Sequence, residues 1–566
     1  MTANLFDYFE DIPTGDGESA PWAARAPRRP HKRFDLKLVP RLPDWEGDPD
    51  SLAALERIER EPWAEKVIRS RDAVMVRLSD AWIEATGAAL EAGGSAEATL
   101  ADLAQGERFS VQFWDANATK ALHVGHLRNL AIGNALAAAL AQAGAQVERR
   151  SLISDAGRSM GEAMAGVMNS GRHAHAWLDG DEKSDHFVGV CYADYVAAGG
   201  AFGGEQVEYP EDSLTRELTM RGDAADELLK RVLSGERTAL ELWYRTRAWV
   251  ISGQRKTLGR LGIAFDRVFF ESDFLEEAAE LTRTGLRDGR LRRREDGVVI
   301  YATGLADFEE FPLVRADGLP TQHMRALAYW MAAPDLEQMT SMQVCGTEWV
   351  SHVTSRRKLM DELLPAANGS PAIQHPTHDI FNGMVARQKR AMTSSEGGLL
   401  IDELTEWLDA QIDSVPSRRE VRKHHPFPER MAAQIALGYF LPYPVAPRID
   451  FDTTKLLEDG ESLGWDLARA RARATRPAGA NGGGPASANG GRPADDPEYR
   501  FAVVQSELYR RYLRLAAQRL DVRPLAHYLK HLARWDLEGE RGEHVERIVQ
   551  TLLERSARGL GLEATR

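Results

Sequence analysis

NATKALHVGHLR, residues 117–128, is the stretch of this sequence that decides the fold. It lies between a short alternating segment, in which Phe109, Val111 and Phe113 share one face, and a long segment rich in alanine and leucine. This pattern predicts a strand, a turn and a helix. Gly125 removes a side chain where a base or phosphate can approach, and a helix N-terminus just beyond it would offer free N–H groups to an anion. The stretch predicts a nucleotide site, but a plain loop-to-helix turn explains H-x-G-H equally well.

Three side chains beside Gly125 would do the chemistry of such a site. His123 and His126 can donate hydrogen bonds to phosphate oxygens, and Lys120 supplies a positive charge. We therefore predict that these three residues bind the phosphates of a nucleotide.

A second strand-to-helix turn is predicted directly after the first. We expect a helix from about Leu127 to Ala143, ended by Gly144, and a strand over Gln146–Ile153 that enters the turn at 154–157. Strand, helix and strand in this order predict a right-handed parallel crossover in a doubly wound sheet. Ligands of such sheets bind beyond the carboxyl ends of the strands, where both turns fall.

Composition limits the classes of protein that fit. The chain has 566 residues, enough for two to four domains, and its net charge of −14 means that nucleic acid must meet a local basic patch. Cys191 and Cys345 are the only cysteines, which excludes a disulfide framework. The apolar run at 130–147 is dominated by alanine and predicts a buried helix rather than a membrane span. We expect a cytoplasmic protein, with no metal site at His173, His175 or His186.

Asn117, Lys120 and the run LHVGHLR at 122–128 resemble the nucleotide-binding signature of class I aminoacyl-tRNA synthetases. The form is that of arginyl-tRNA synthetases, S-P-N-x-x-K-P-L-H-V-G-H-L-R, with Asp115 and Ala116 in place of Ser-Pro. Further segments resemble the same family in the same order, namely LGRLGIAFDRVFFES at 258–272, FPLVRADGLPT at 311–321, MQVCGTE at 342–348 and KRAMTSSEGG at 389–398. We predict a strand pair at 298–307, before FPLVRADGLPT, and a strand at 342–348 that runs into Gly346.

The loop at 389–398 resembles the K-M-S-K-S type loop that closes over ATP in class I synthetases. The resemblance implies that Met392 and Ser394, together with Gly346, contact ATP. It also implies basic residues that stabilise charge on the leaving pyrophosphate.

The basic residues of that loop are displaced in this sequence. Ala391 and Ser395 occupy the positions of the family's lysine and arginine. We expect Lys389 and Arg390, just upstream, and Lys120 to supply the missing positive charge.

The amino-acid pocket departs most from the family. Gln112, Gln322 and Ala326 occupy the positions of the family's glutamate, tyrosine and aspartate, Trp349 occupies that of a glutamine, and Asn117 is retained. A guanidinium without a countercharge would lose two charge-assisted pairs of about 1.5–3 kcal/mol each.

We therefore predict that the amino acid is not arginine, unless Asp115 or Glu348 replaces the lost carboxylates. Its side chain is expected to be neutral, polar or smaller.

The resemblance also implies the architecture. The fold class is α/β, with a doubly wound parallel, Rossmann-like catalytic domain at 105–400 that carries an insertion at about 162–250. A small α+β N-terminal domain with a flexible arm spans 1–104, and its one candidate strand is DAVMVRL at 72–78. An all-α, anticodon-binding-like domain spans 401–566 and contains a flexible tether at 476–493.

The expected reaction uses ATP, with Mg²⁺ bound to ATP rather than at a dedicated protein site, to convert an amino acid to its adenylate. By resemblance the acceptor is the 3′ end of a tRNA, and the alternatives are a small-molecule acceptor and a non-catalytic RNA-binding relative. The basic side chains of the last helices, Arg510, Arg511, Arg514 and Lys530, suit either RNA phosphates or an ordinary amphipathic bundle. We expect a monomer that does not associate with membranes.

Overall fold

The protein is described here from a computed structural model, which covers residues 22–40, 45–70, 72–92, 100–170, 183–198, 224–306, 308–363, 377–387, 390–391, 398–475, 492–539 and 541–563.

The N-terminal part of the described chain is a four-stranded antiparallel sheet with two helices. Its elements are β1 Trp22–Arg25, β2 Leu36–Pro40, α1 Pro49–Glu59, β3 Ala64–Ser70, β4 Ala73–Leu78 and α2 Asp80–Glu91. The strand order is β1-β2-β4-β3. The sequence predicted a single strand here, at 72–78. β3 was not predicted because it is an edge strand without a fully buried residue. Its sequence therefore lacks the alternation of apolar and polar residues that indicates a strand.

The central part alternates strands and helices. Its strands are β5 Arg108–Gln112, β6 Gln146–Ile153, β7 Arg267–Phe270, β8 Leu291–Arg293, β9 Val299–Leu305, β10 Phe308–Val314, β11 Thr340–Gly346, β12 Thr377–Asn382, β13 Val385–Arg387 and β14 Arg390–Ala391. Its helices are α3 Val124–Gln142, α4 Arg158–Asn169, α5 Ser184–Ala197, α6 Ala224–Leu233, α7 Arg237–Leu261, α8 Leu275–Arg287, α9 Gln322–Ala332 and α10 Val350–Leu363.

Five of these strands form a parallel sheet in the order β12-β11-β5-β6-β7. β5 is central and its last four residues are buried, as expected for a strand covered on both faces. The chain passes from β5 through α3 to β6 on one side and returns to β11 on the other, which makes the carboxyl end of β5 a topological switch point. The predicted doubly wound α/β fold is confirmed.

Helix α3 begins at Val124, three residues before the predicted start, because His123 caps it. Gly144 follows the last turn with a φ of 98°, and a Cβ there would lie 1.7 Å from the carbonyl oxygen of Ala101. Glycine is therefore required both by the left-handed backbone and by the close approach. The strand predicted after it, Gln146–Ile153, has the expected bounds.

A separate antiparallel sheet, β8-β9-β10, covers the side of the fold near α9 and α10. A strand pair was predicted within 298–307, but β9 pairs instead with β10 at Phe308–Val314. The second strand therefore includes the segment FPLV, which had been placed after the pair. The apolar faces of this sheet, α9 and α10 form a second hydrophobic core.

The C-terminal part is almost entirely helical. Its elements are α11 Ile401–Ser414, α12 Pro416–Lys423, α13 Met431–Phe440, β15 Ile449–Asp450, α14 Leu463–Ala474, α15 Pro497–Arg519, α16 Arg523–Leu537 and α17 Glu543–Gly559. Arg500 of α15 is buried and pairs with Asp35 at 2.7 Å and Asp80 at 2.8 Å, which fixes this part to the N-terminal sheet.

The tether predicted at 476–493 falls outside the described residues except for its last two, of which Arg492 pairs with Asp80 at 2.8 Å. Within the described ranges, no helix is both long and apolar enough to span a bilayer.

Candidate active site

A cavity of about 570 Å³ opens at the carboxyl ends of β5, β6 and β11. It brings together most of the site residues that the sequence predicted, namely Gln112, Asp115, Asn117, Lys120, His123, Gly125, His126, Gln322, Ala326, Gly346 and Trp349. Gln322 and Ala326 lie one helical turn apart at the start of α9, so both face the cavity.

The predicted residues of the second loop are placed only in part. Lys389, Met392 and Ser394 lie outside the described residues, and Arg390 belongs to β14, whose backbone pairs with β13. Both ends of this loop adjoin the site: Val385 of β13 lines the cavity, and the N–H of Val124 donates to Leu399 O at 2.9 Å.

The two histidines of the signature cap helix α3 reciprocally. The backbone N–H of Gly125 donates to His123 Nδ1 at 3.1 Å, and the backbone N–H of His123 donates to His126 Nδ1 at 3.2 Å. The two ring centroids are 3.9 Å apart. Since both Nδ1 atoms accept, a neutral ring must carry its proton on Nε2 in each case.

Burial keeps both rings neutral. It lowers the pKa of His123 to about 4, with Lys120 as a second cause, and it holds the pKa of His126 well below its usual value. At neutral pH each ring therefore presents one uncharged Nε2–H donor while its Nδ1 is occupied by the backbone.

The expectation of free backbone N–H groups beyond Gly125 is wrong. Gly125 lies inside the first turn of α3, and the N–H groups of Val124, Gly125 and His126 are bonded to Leu399 O, His123 Nδ1 and His123 O. The donors available to an anion at this helix start are consequently the imidazole rings rather than the backbone.

The loop that carries Asn117 and Lys120 is held by its neighbours. Gln254 of α7 donates from Nε2 to Asn117 O at 3.1 Å and to Lys120 O at 2.8 Å, and the N–H of Ala118 donates to Ser154 O at 2.9 Å. The ammonium of Lys120 lies 5.7 Å from the ring centroid of Tyr192. The position of the lysine is thus set by α5, within the predicted insertion, and by the part of α7 that follows it.

The opposite wall of the cavity is built from two glutamines and one aspartate. Gln112 of β5 and Gln343 of β11 are register partners, and their Nε2 groups both donate to Asp115 at 2.9 Å. Asp115 lies at the bottom of the cleft, enclosed by protein, yet its side chain remains open to the cavity. Desolvation raises the pKa of Asp115, and the bonds from the glutamines oppose that rise.

Arg356 completes this wall. Val353 and Arg356, three residues apart, share the face of α10 that lines the cavity, and Trp349 lines it from the turn just before this helix. Arg356 is 6% exposed, its NH2 group donates to Gln343 Oε1 at 2.6 Å, and its Nε has no protein partner among the described residues. Burial, reinforced by Arg357, lowers the pKa of Arg356 to about 10, so the group is charged at neutral pH.

Glu271 and Arg325 form a buried ion pair at the edge of the cavity. Glu271 Oε2 accepts from Arg325 Nε at 2.7 Å and from the Ser154 hydroxyl at 2.9 Å. Desolvation raises the pKa of Glu271 to about 7, and the ion pair with Arg325 limits the rise.

Gly346, which lines the cavity, also has a packing role. A Cβ at this position would lie 2.1 Å from Glu348 Oε1, so the missing side chain makes room for the exposed Glu348 carboxylate. A side chain at position 346 would therefore displace Glu348.

His186 belongs to a charged cluster with Asp185, Asp402 and Lys183. His173 and His175 lie outside the described residues, and His186 Nε2 is 3.0 Å from Asp402 Oδ2. Asp185, His186 and Asp402 are close enough to share an ion, but Lys183 Nζ is already 2.9 Å from Asp185 and 2.7 Å from Asp402. The lysine ammonium supplies the charge that a cation would bring.

With this geometry in place, comparison with known proteins gives a consistent result. Residues 96–180 match the family described as tRNA synthetases class I (R), catalytic domain. Arginine–tRNA ligase of Treponema pallidum is 29% identical over 356 residues, which cover 61% of this chain and 56% of that protein. Arginine–tRNA ligase of Borrelia hermsii is 26% identical, over 59% of this chain and 54% of that protein. The chain is a homologue of the arginyl-tRNA synthetases.

Solved structures of arginyl-tRNA synthetases share the fold of this homologue. The enzyme of Thermus thermophilus superposes with a TM-score of 0.67 at 20% identity, covering 99% of both chains. That of Plasmodium falciparum gives 0.61 at 13% identity, covering 98% of this chain and 96% of its own. The matched sequence nevertheless spans little more than half the length of the curated relatives.

Several cavity residues of this synthetase homologue were not predicted. Gln343 could have been found, because it precedes Gly346 by three positions on a predicted strand and so lies at the same sheet edge as Gln112. Arg356 could not, since SRRK resembles an ordinary exposed charged segment of a helix. Glu271 and Arg325 are likewise recognisable only from their mutual contact.

Proposed function

We propose that this protein is an AMP-forming ligase that activates an amino acid with Mg-ATP. A carboxylate oxygen of the amino acid attacks the α-phosphorus, the bond from that phosphorus to the bridging oxygen breaks, and pyrophosphate leaves. The observation that carries the proposal is the pair of neutral histidine rings that cap α3 and line the same cavity as the amino-acid-side residues.

In this proposal the nucleotide is bound by the signature turn. The Nε2–H groups of His123 and His126 donate to phosphate oxygens, and Gly125 leaves room for the nucleoside. Lys120 neutralises charge that develops on the phosphates as the bond to pyrophosphate breaks. Mg²⁺ is brought by the ATP phosphates, and we assign it no protein ligand.

The second loop completes the nucleotide site in the same proposal. Lys389 and Arg390 add positive charge near the leaving pyrophosphate, and Gly346, Met392 and Ser394 contact ATP. The support is that the described residues on both sides of this loop adjoin the cavity and the cap of α3.

We infer that the amino acid is not arginine. Gln112, Gln322 and Ala326 line the cavity where the family has two carboxylates and a phenol. Two charge-assisted pairs of about 1.5–3 kcal/mol each would be lost with arginine, which corresponds to an affinity loss of about a hundredfold or more.

The other carboxylates of the cavity do not compensate for this loss in our proposal. Glu271 is paired with Arg325 at 2.7 Å, and Asp115 accepts hydrogen bonds from both glutamines. Glu348 is exposed and lies against Gly346. Asn117 and Trp349 are proposed to contact the main-chain and side-chain parts of the amino acid.

We propose the 3′ end of a tRNA as the acceptor, with residues 105–400 as the catalytic part. The helical residues 401–566 and the N-terminal residues 1–104 would then contact the body of the tRNA. The support is the arginine–tRNA ligase relatives and the docking of α15 on the N-terminal sheet through Arg500.

Amino-acid-dependent ATP–pyrophosphate exchange tests the activity. We expect one of the common amino acids to drive exchange in the presence or absence of bulk tRNA, and arginine to be a poor substrate. If none drives exchange under either condition, the protein is not a ligase of this kind. Charging of bulk tRNA with the active amino acid then identifies the acceptor, and exchange without charging would indicate a small-molecule acceptor.

A further inference from the structure

Among the described residues, the buried guanidinium of Arg356 in the cavity is contacted neither by a carboxylate nor by a group of backbone carbonyls. Among the described arginines that line the cavity, Arg158 pairs with Asp226 at 2.7 Å and Arg325 pairs with Glu271 at 2.7 Å. Arg128 donates to four backbone carbonyls, those of Gly383, Pro444, Val445 and Pro447. Within the described part of the chain, Arg356 makes a single hydrogen bond, to the neutral amide oxygen of Gln343.

The Arg356 guanidinium has hydrogen-bond donors that are not used by the described residues. It carries five N–H donors, of which one is used here and Nε is buried without a protein partner. A second donor nearby, the buried indole Nε1 of Trp330, also has no protein partner among the described residues. The Trp330 ring lies 5.7 Å from the Arg356 guanidinium carbon, and both side chains line the cavity.

None of the charged groups described around Arg356 is a direct anionic partner for its guanidinium. Arg357 repels it, and the carboxylate of Asp379 is engaged by Arg357 at 2.9 Å. Asp115 is separated from Arg356 by the whole amide of Gln343, which accepts from the arginine and donates to the aspartate. A buried cation without a direct anionic partner is costly, and a ligand that supplies the anion recovers that cost.

We propose that the amino acid activated by this protein has an anionic side chain, which is bound by the guanidinium of Arg356. This inference rests on the proposed ligase function and specifies its substrate class. The carboxylate of such a side chain accepts from Arg356, as guanidinium–carboxylate pairs do. Asp115, which is open to the cavity on the other side of Gln343, is then placed to accept from the substrate ammonium.

Pairs of amino acids that differ only in charge test the proposal on the unmodified protein. L-Glutamate is compared with L-glutamine, and L-aspartate with L-asparagine, with L-arginine as the cationic reference. We expect the KM for exchange to be about tenfold or more lower for one acid than for its amide. The same order is expected when the thermal shift caused by each amino acid is measured, which reports binding without chemistry.

Variants of two adjacent arginines connect the preference to Arg356. Arg356→Met should reduce the preference for the acid over its amide at least tenfold, while Arg356→Lys should retain part of it. Arg357→Met is the matched control, because Arg357 neighbours Arg356 but pairs with Asp379 and does not line the described cavity. It should leave the preference unchanged.

The outcomes separate this inference from the proposed function. Exchange driven by a neutral or cationic amino acid in preference to the acids would overturn the inference and leave the ligase function standing. Acid-selective thermal shifts without any exchange would support the binding of an anionic side chain by Arg356 and overturn the ligase function. Absence of both effects would overturn both. If Arg356→Met does not fold, the acid–amide comparison on the unmodified protein and the Arg356→Lys variant still decide the question.

Discussion

The two walls of the cavity are built in different ways. The nucleotide wall, Lys120 with His123, Gly125 and His126, comes from one continuous stretch, and its two rings are fixed by the backbone of the helix that they cap. The amino-acid wall, Gln112 with Asp115, Gln343 and Arg356, comes from β5, the loop after it, β11 and α10. The first can change little without damaging α3, whereas the second can be altered one side chain at a time.

The largest expected effect is on the nucleotide wall. His126→Asn keeps an acceptor close to the position of Nδ1 but removes the Nε2–H donor. If that donor stabilises the transition state, exchange should fall about a hundredfold to a thousandfold. The measurement is the exchange rate at saturating amino acid.

His126→Ala is the matched variant for this prediction. It removes the cap as well as the donor, so exchange should fall similarly and the free energy of unfolding should also fall by about 1 kcal/mol. Exchange that survives in His126→Asn would show that the ring serves only to cap α3.

The next effect concerns the amino-acid wall. Asp115→Asn removes the carboxylate that is open to the cavity, and the KM for the amino acid should rise about tenfold to a hundredfold because a charge-assisted bond is lost. The KM for ATP should stay within about twofold. Equal changes in both constants would contradict the separation of the two walls.

Asp379→Asn is a suitable control for that measurement. Asp379 lies on the neighbouring strand β12, and its carboxylate pairs with Arg357 rather than facing the described cavity. It should change neither constant.

The smallest effect is a pH dependence of stability at Glu271, which lines the same cavity but belongs to neither wall. Its pKa is raised by burial to about 7, so the folded protein binds this proton more tightly than the unfolded chain. The associated stability is complete below the unfolded pKa of about 4.3 and is lost as the pH rises through 7.

Glu271→Gln should remove that loss. Because the variant removes the carboxylate that accepts from Arg325 Nε, it should be less stable overall. Its free energy of unfolding should nevertheless fall by about 1–3 kcal/mol less than that of the unmodified protein between pH 5 and 8. Glu280→Gln, at an exposed glutamate, is the control and should keep the original slope. Parallel pH curves for Glu271→Gln and the unmodified protein would contradict the prediction.

The sequence alone determined the parts of the molecule that depend on local pattern. Strand β6 and the end of α3 at Gly144 were predicted correctly, because hydrophobic periodicity and a left-handed glycine are local signals. The signature histidines were assigned to the cavity for the same reason, since they follow a strand and begin a helix. The antiparallel sheet of the N-terminal part was largely missed, because β3 has no buried face to set a pattern.

Only the tertiary structure decided which partners the polar and charged groups of the cavity have. Arg356 of α10 packs against Gln343 of β11. The N–H of Gly125, expected to be free for a phosphate, instead donates to His123, the residue that caps α3. Burial is a property of contacts between elements far apart in the chain, and burial decides whether an arginine in SRRK is solvated or held beneath a cavity without a counterion. The sequence does not distinguish a solvated arginine from a buried one, because the difference arises only when helices and strands pack against each other.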